Sequence, residues 1–168
     1  MPKVKQTIEI EPISFLSLER EFYATAERAF DLGDSFNKPL YFLYFHTLEL
    51  AFKAFLRSHN VPTRELKDKK GHELTELYEA CCKLGLVIGT SDPVQIGNIV
   101  KMLKGANEYQ GLRYFNPDLS ALPSLAWTRE VVLELIQIVE LRLQAASMAA
   151  FLPASKLVII WDKPTPKS

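Results

Sequence analysis

A helix that is apolar on every side has to be wrapped by other elements, and residues 41–60, YFLYFHTLELAFKAFLRSHN, read as such a helix. Phe42, Phe45, Phe52 and Phe55 lie within it, and each contributes roughly 1.5 to 3 kcal/mol when buried. A chain containing this segment is expected to fold as a bundle around it. The same segment carries His46, Glu49, Lys53 and Arg57, spaced by three, four and four residues, so the four ionisable side chains line one edge of the helix. Two readings follow. Either that edge faces water, where a Glu49–Lys53 pair adds only about 0.3 to 0.5 kcal/mol, or it lies in a groove or a subunit interface. In the second case an unpaired Glu49 costs several kcal/mol, and Lys53, Arg57 or a group from another helix has to satisfy it.

With 168 residues, 48% of them hydrophobic, the chain has the size of one domain with a substantial core. Twenty basic and twenty acidic residues leave no net field to attract nucleic acid or an anionic membrane, so any such binding needs a local patch. Cys81 and Cys82 are adjacent and cannot staple distant segments, and their spacing fits neither an extracellular disulfide framework nor a zinc site. They read as packed thiols in a reducing compartment. The opening MPKVKQTIEIEPISF has no apolar signal core, and the apolar run 40–45 is too short to cross a bilayer. The expectation is a cytoplasmic protein with no membrane contact, no cofactor and no metal.

Along the chain, residues 1–13 read as an irregular N-terminal arm, whose TIEI alternation, bracketed by Pro2 and Pro12, is able to pair as an edge strand but not to begin a helix. A helical domain, 14–152, follows. Phe15, Leu18, Phe22, Ala26 and Ala29 mark a first helix to about residue 31, and Pro39 opens the second, which ends at HNVP. PTRELKDKKG reads as an exposed charged connection. HELTELYEACCKLGL is a third helix with its face at Leu74, Leu77, Cys81 and Leu84, stopped by Gly85 with Leu86 folding back. SDP, at 91–93, caps a fourth helix through Val94, Gly97, Val100 and Leu103 that ends near Gly111. The longest periodic segment, LAWTREVVLELIQIVELRLQAASMAAFL, is a fifth helix stopped by Pro153. A C-terminal extension, 153–168, contains KLVIIWD, a short strand or a tail docked on the bundle. The fold is expected to be all-α, an up-and-down bundle of four to five helices with the second and fifth at its centre.

YFHTLELAFKAFL, a short charged loop and GHELTELYEACCKLGL together resemble the second and third helices of the HEPN superfamily, bundle proteins of prokaryotic toxin, defence and nucleotidyltransferase-associated systems. The resemblance spans residues 40–86. It rests on an acidic residue followed four positions later by a lysine, Glu49 and Lys53, and on a histidine opening the next helix, His72.

Active members of that superfamily resemble one another in an arginine followed about a turn later by a histidine, paired across a homodimer. Histidine moves a proton near neutral pH and arginine steadies charge on a phosphate oxygen, so RNA is cleaved through its own 2′-hydroxyl without a metal. Here the histidines are 46, 59 and 72, and none follows an arginine at that spacing. In YQGLRYFNPD, Arg113 is followed by Tyr114 and Asn116, which resembles the family arrangement with its histidine missing. The resemblance therefore implies a non-catalytic or degenerate homodimeric binding module, with RNA, a nucleotidyltransferase or an antitoxin as partner.

Two alternatives stay open. One is a metal-independent endoribonuclease whose Arg113 is joined in space by His72 or His46. The other is a small-ligand site in a groove formed by Glu49, Lys53 and His72. His72 also has a plain structural role available, a hydrogen bond to Glu49 that ties two helices together. Tyr109, Tyr114, Phe115 and Trp127 either stack on bases or fill the end of the bundle. Arg64, Lys67, Lys69 and Lys70 either hold a phosphate or are simply solvated. The stripe VVLELIQIVELRL is wide enough to bury one face in the bundle and a second in a dimer partner.

Overall fold

The computed structural model describes residues 8–32, 38–67, 72–86, 92–108, 112 and 122–151. In order these form α1 (Pro12–Asp31), α2 (Lys38–Ser58), α3 (Thr63–Lys67), α4 (Leu74–Lys83), α5 (Pro93–Asn107) and α6 (Leu125–Phe151), an all-α bundle. The central helix is α2. It packs against α1, α4, α5 and α6, and every residue from Thr47 to Leu56 is buried. A helix buried all round cannot be amphipathic, which is why its residues are apolar on each side.

Against α2, α1 runs antiparallel: Phe22 meets the His46 ring edge-on at 4.5 Å, and Glu27 accepts a hydrogen bond from Tyr44 at 3.0 Å. The same α1 runs antiparallel to α6 through Arg20 with Glu140 and Glu27 with Arg129. α2 and α6 therefore run in the same direction. Their starts are joined by the Tyr41 hydroxyl, which donates to the Pro123 carbonyl at 2.6 Å. α6 contributes Val131, Val132, Leu135, Ile136, Val139 and Leu143 to the core.

Chain reversals follow from backbone chemistry at two positions. After α2, Asn60 takes φ 65°, and the Val61 and Asn60 amides donate to Leu56 and Arg57 carbonyls at 3.1 and 2.9 Å. After α4, Gly85 takes φ 87°, and the Leu86 and Gly85 amides donate to Cys81 and Cys82 carbonyls at 3.0 and 2.9 Å. Both close the last turn with the paired bonds of a left-handed helix stop, and the buried Leu86 supplies its apolar contact. At the start of α5, Asp92 Oδ1 accepts from the Val94 and Gln95 amides, with Pro93 in the first turn.

Several expectations are corrected. Pro12 does begin a helix, because the first helical position has no intrahelical amide bond for proline to lose. Of the two readings of the arm, residues 8–11 take the irregular one and form no edge strand. They are held by side chains instead: the Ile10 amide donates to Thr63 Oγ1 at 2.8 Å, and Glu9 accepts from the Thr63 amide at 2.9 Å. The supposed exposed connection contains α3, which buries Thr63 and Leu66 while its charged residues face water. On α1 the expected face holds at Ala26, with Phe15 and Ala29 packed against the core, but Leu18 is exposed while Leu16 and Glu19 are buried beside it. Val94 and Leu84 are likewise exposed, and α5 buries Ile96, Ile99, Val100, Leu103 and Ala106 before stopping at Asn107. The C-terminal run KLVIIWD and the residues after it lie outside the described residues.

Candidate functional site

Glu49 sits in the middle of the most enclosed helix, 2% exposed, and Lys53 one turn later is 5% exposed. The polar edge of α2 therefore does not face water at these two positions, and the solvated reading is overturned there. Taking a carboxylate out of water is costly unless its oxygens are satisfied. Lys53 Nζ donates to Oε1 at 2.6 Å, and His72 Nδ1 approaches the same oxygen at 2.9 Å. His46 Nδ1 lies 3.4 Å from Oε2, a longer and weaker contact. An ionised carboxylate only accepts, so both Nδ1 atoms carry the hydrogen.

The electrostatics rest on His46 and Lys53 rather than on His72, although His72 is the closer imidazole. Burial alone would raise the Glu49 pKa, but the His46 hydrogen bond and the charge and hydrogen bond of Lys53 outweigh it and hold the carboxyl down to about 2. The result is a charged clasp. Lys53 and His46 come from α2 itself, whereas His72 arrives from the turn just before α4, so one carboxylate fastens two helices. His72 does not cap α4, whose N-cap residue is Glu73. The His72 side chain is 62% exposed, so the clasp is open to solvent chiefly on that side.

Arg57, last of the polar edge, turns to the N-terminal arm. Its guanidinium donates to the Ile10 and Val61 carbonyls at 2.8 and 2.7 Å and lies 3.2 Å from Glu9. The edge thus splits: His46, Glu49 and Lys53 form the clasp with His72, and Arg57 anchors residues 9–10 and the end of α2.

A second polar cluster escaped the sequence reading. Glu27 on α1 receives a two-pronged bond from Arg129 on α6, Nη2 to Oε2 at 2.6 Å and Nε to both oxygens at 3.0 and 2.9 Å, along with the Tyr44 hydroxyl. Arg129 also stacks over the Phe30 ring at 4.9 Å. Burial opposes ionisation of Glu27, yet the Arg129 and Tyr44 bonds keep its pKa below the usual carboxylate range. Residues 102 apart leave no spacing signal. Glu19 was also missed, although Leu16, Glu19, Tyr23, Ala26 and Phe30 fall on one helical face that a register shift of one would have revealed. It is 1% exposed, and its Oε2 has no hydrogen-bond partner.

The other candidates divide as follows. Tyr109, Arg113, Tyr114, Phe115, Asn116, Lys69 and Lys70 lie outside the described residues. Trp127 is half-buried against the core. Arg64 and Lys67 are exposed on α3. Cys81 is buried with its thiol on the Phe52 carbonyl at 3.7 Å, and burial pushes its pKa well up, as expected of a packing residue rather than a nucleophile. Among the described residues no group of three or more His, Cys, Asp or Glu is arranged to hold a metal, and no helix is long and apolar enough to cross a membrane. Comparison with protein-family models, with curated proteins and with solved structures returned no match.

Proposed function

We propose that the chain is a HEPN-like helical module that works by binding, as a homodimer in a toxin, defence or RNA-linked system, and not by catalysis. The supporting observation is the condition of Glu49. A carboxylate already accepting from Lys53 and His72, with His46 beside it and its pKa near 2, neither gives nor takes a proton near neutral pH. It fastens α2 to α4. Glu49, Lys53 and His72 are also the residues on which the HEPN resemblance rests, and their mutual contact supports that reading.

The second reading is a metal-independent endoribonuclease using Arg113 and His72. What favours it is the pose of His72: with Nδ1 engaged by Glu49, Nε2 remains for another partner, and the side chain is largely exposed. A carboxylate orients a catalytic imidazole in the same way.

Purified protein incubated with single-stranded and structured RNA in excess chelator separates the two. The binding reading expects intact RNA and a dimer by light scattering. Cleavage that disappears in both Arg113→Ala and His72→Ala, but not in Arg64→Ala, would replace it with the nuclease.

A further inference from the structure

A groove of about 710 Å³ opens where the beginning of α1 meets the end of α6, with Ser58, the last residue of α2, also lining it. That is the size of a small-molecule site. Its apolar wall is made by Ile13, Leu16, Leu143 and Met148. Ile13 is 60% exposed and Met148 68% exposed, so the wall is open to an incoming molecule. From Ile13 to Arg20 the α1 side runs for about 10 Å, comparable with an extended aliphatic chain of medium length.

Once internal pairs are set aside, the charge on this groove has one sign. Its charged lining residues are Glu11, Arg20 and Glu140. Arg20 is committed to Glu140 at 2.7 Å, whereas the exposed Glu11 side chain makes no cap hydrogen bond and no ion pair among the described residues. Glu19, between the lining residues Leu16 and Arg20 on α1, is 1% exposed, and its Oε2 has no hydrogen-bond partner. Helix ends act in the same direction, since α2 and α6 both bring their partly negative carbonyl ends here. The last turn of α6 holds no basic residue, and Arg57 in the last turn of α2 is taken up by Glu9 and two carbonyls. An anionic amphiphile would find no unpaired cation among the lining residues. A cationic one finds apolar walls for its chain and Glu11 for its head group.

We propose that the groove binds a cationic amphiphile, an aliphatic primary ammonium whose chain lies along Ile13, Leu16, Leu143 and Met148 and whose head group pairs with Glu11. The proposal does not depend on the function suggested above. Apolar contact supplies the affinity of such a site, and the sign of the charge supplies its selectivity.

Octylammonium, octanoate and octanol, which share a chain length and differ in head group, test this on the full chain carrying carbon-13 in its methionine methyl groups. Octylammonium is expected to bind saturably and severalfold more tightly than either of the others, and to shift the Met148 methyl resonance while leaving that of Met102 in place. Glu11→Lys, at an exposed position, is expected to weaken octylammonium severalfold and to tighten octanoate, with the helical circular dichroism unchanged. Ile13→Ser is expected to weaken all three. The comparison of head groups in the parent needs no variant to fold. Octanoate or octanol binding as tightly as octylammonium overturns the proposal, as does an absence of saturable octylammonium binding or binding that leaves Met148 unmoved. A Met148 resonance that moves when the protein alone is diluted also overturns it and gives the groove to a second copy of the chain.

Discussion

His72 Nδ1 stands 2.9 Å from Glu49 Oε1, a contact between residues 23 apart that fixes how α4 lies on α2. The carboxylate is nearly inaccessible and the imidazole largely exposed, so one end of the bond is held by the core and the other by water.

Removing the buried carboxylate leaves Lys53 with an unpaired charge in the core. Glu49→Ala is expected to lower stability by about 3 to 5 kcal/mol, read as a drop in the urea midpoint with unchanged slope. Glu49→Leu combined with Lys53→Leu is expected to recover most of that loss. His72→Ala, which removes only the exposed donor, should cost about 1 kcal/mol.

Acid is expected to release the clasp. The Glu49 pKa is about 2 in the fold against an ordinary 4.5, so its contribution is complete above pH 4.5 and is lost progressively as pH falls toward 2. The difference is of order 3 kcal/mol. Glu49→Gln should flatten this part of the acid limb in denaturation curves measured from pH 6 to pH 2.

Glu19 is expected to act in the opposite sense. Burial first, and then the neighbouring Glu140, raise its pKa from 4.5 to about 7, with Arg20 opposing. Its unfolded form loses the proton near pH 4.5 and its folded form near 7, so stability falls as pH rises through that interval and levels off above it. Glu19→Gln should therefore be more stable than the parent at pH 8 by about 3 kcal/mol, and similar to it at pH 4. Thermal unfolding at the two pH values checks this.

The turn after α4 is expected to resist any side chain. With Gly85 at φ 87°, Gly85→Ala should cost about 1 to 2 kcal/mol through backbone strain. Gly97→Ala serves as the contrast, since a Cβ there meets only the Tyr78 ring at 3.8 Å, and it is expected to be neutral or stabilising.

The sequence carried the bundle and the clasp, for separate physical reasons. Apolar residues on all sides of α2 left it no place but the centre, and the requirement that a buried charge be satisfied pointed from Glu49 to Lys53 and His72. Local chemistry was equally legible in the Gly85 stop and the Asp92 cap, because each depends on residues adjacent in the chain. The Glu27–Arg129 pair was not, since nothing local records which helices become neighbours. The start of α1 was misread because Pro12 was taken as a breaker where it serves as a first residue, and the α1 face because Glu19 is a carboxyl in an apolar position.

Ile13 near the start of α1 and Met148 near the end of α6 line the same groove, so the six-helix path comes back to where it began. A path that nearly closes has no privileged place to be cut. Joining its two ends and reopening the chain between other helices would rearrange the order of synthesis while keeping every interhelical contact.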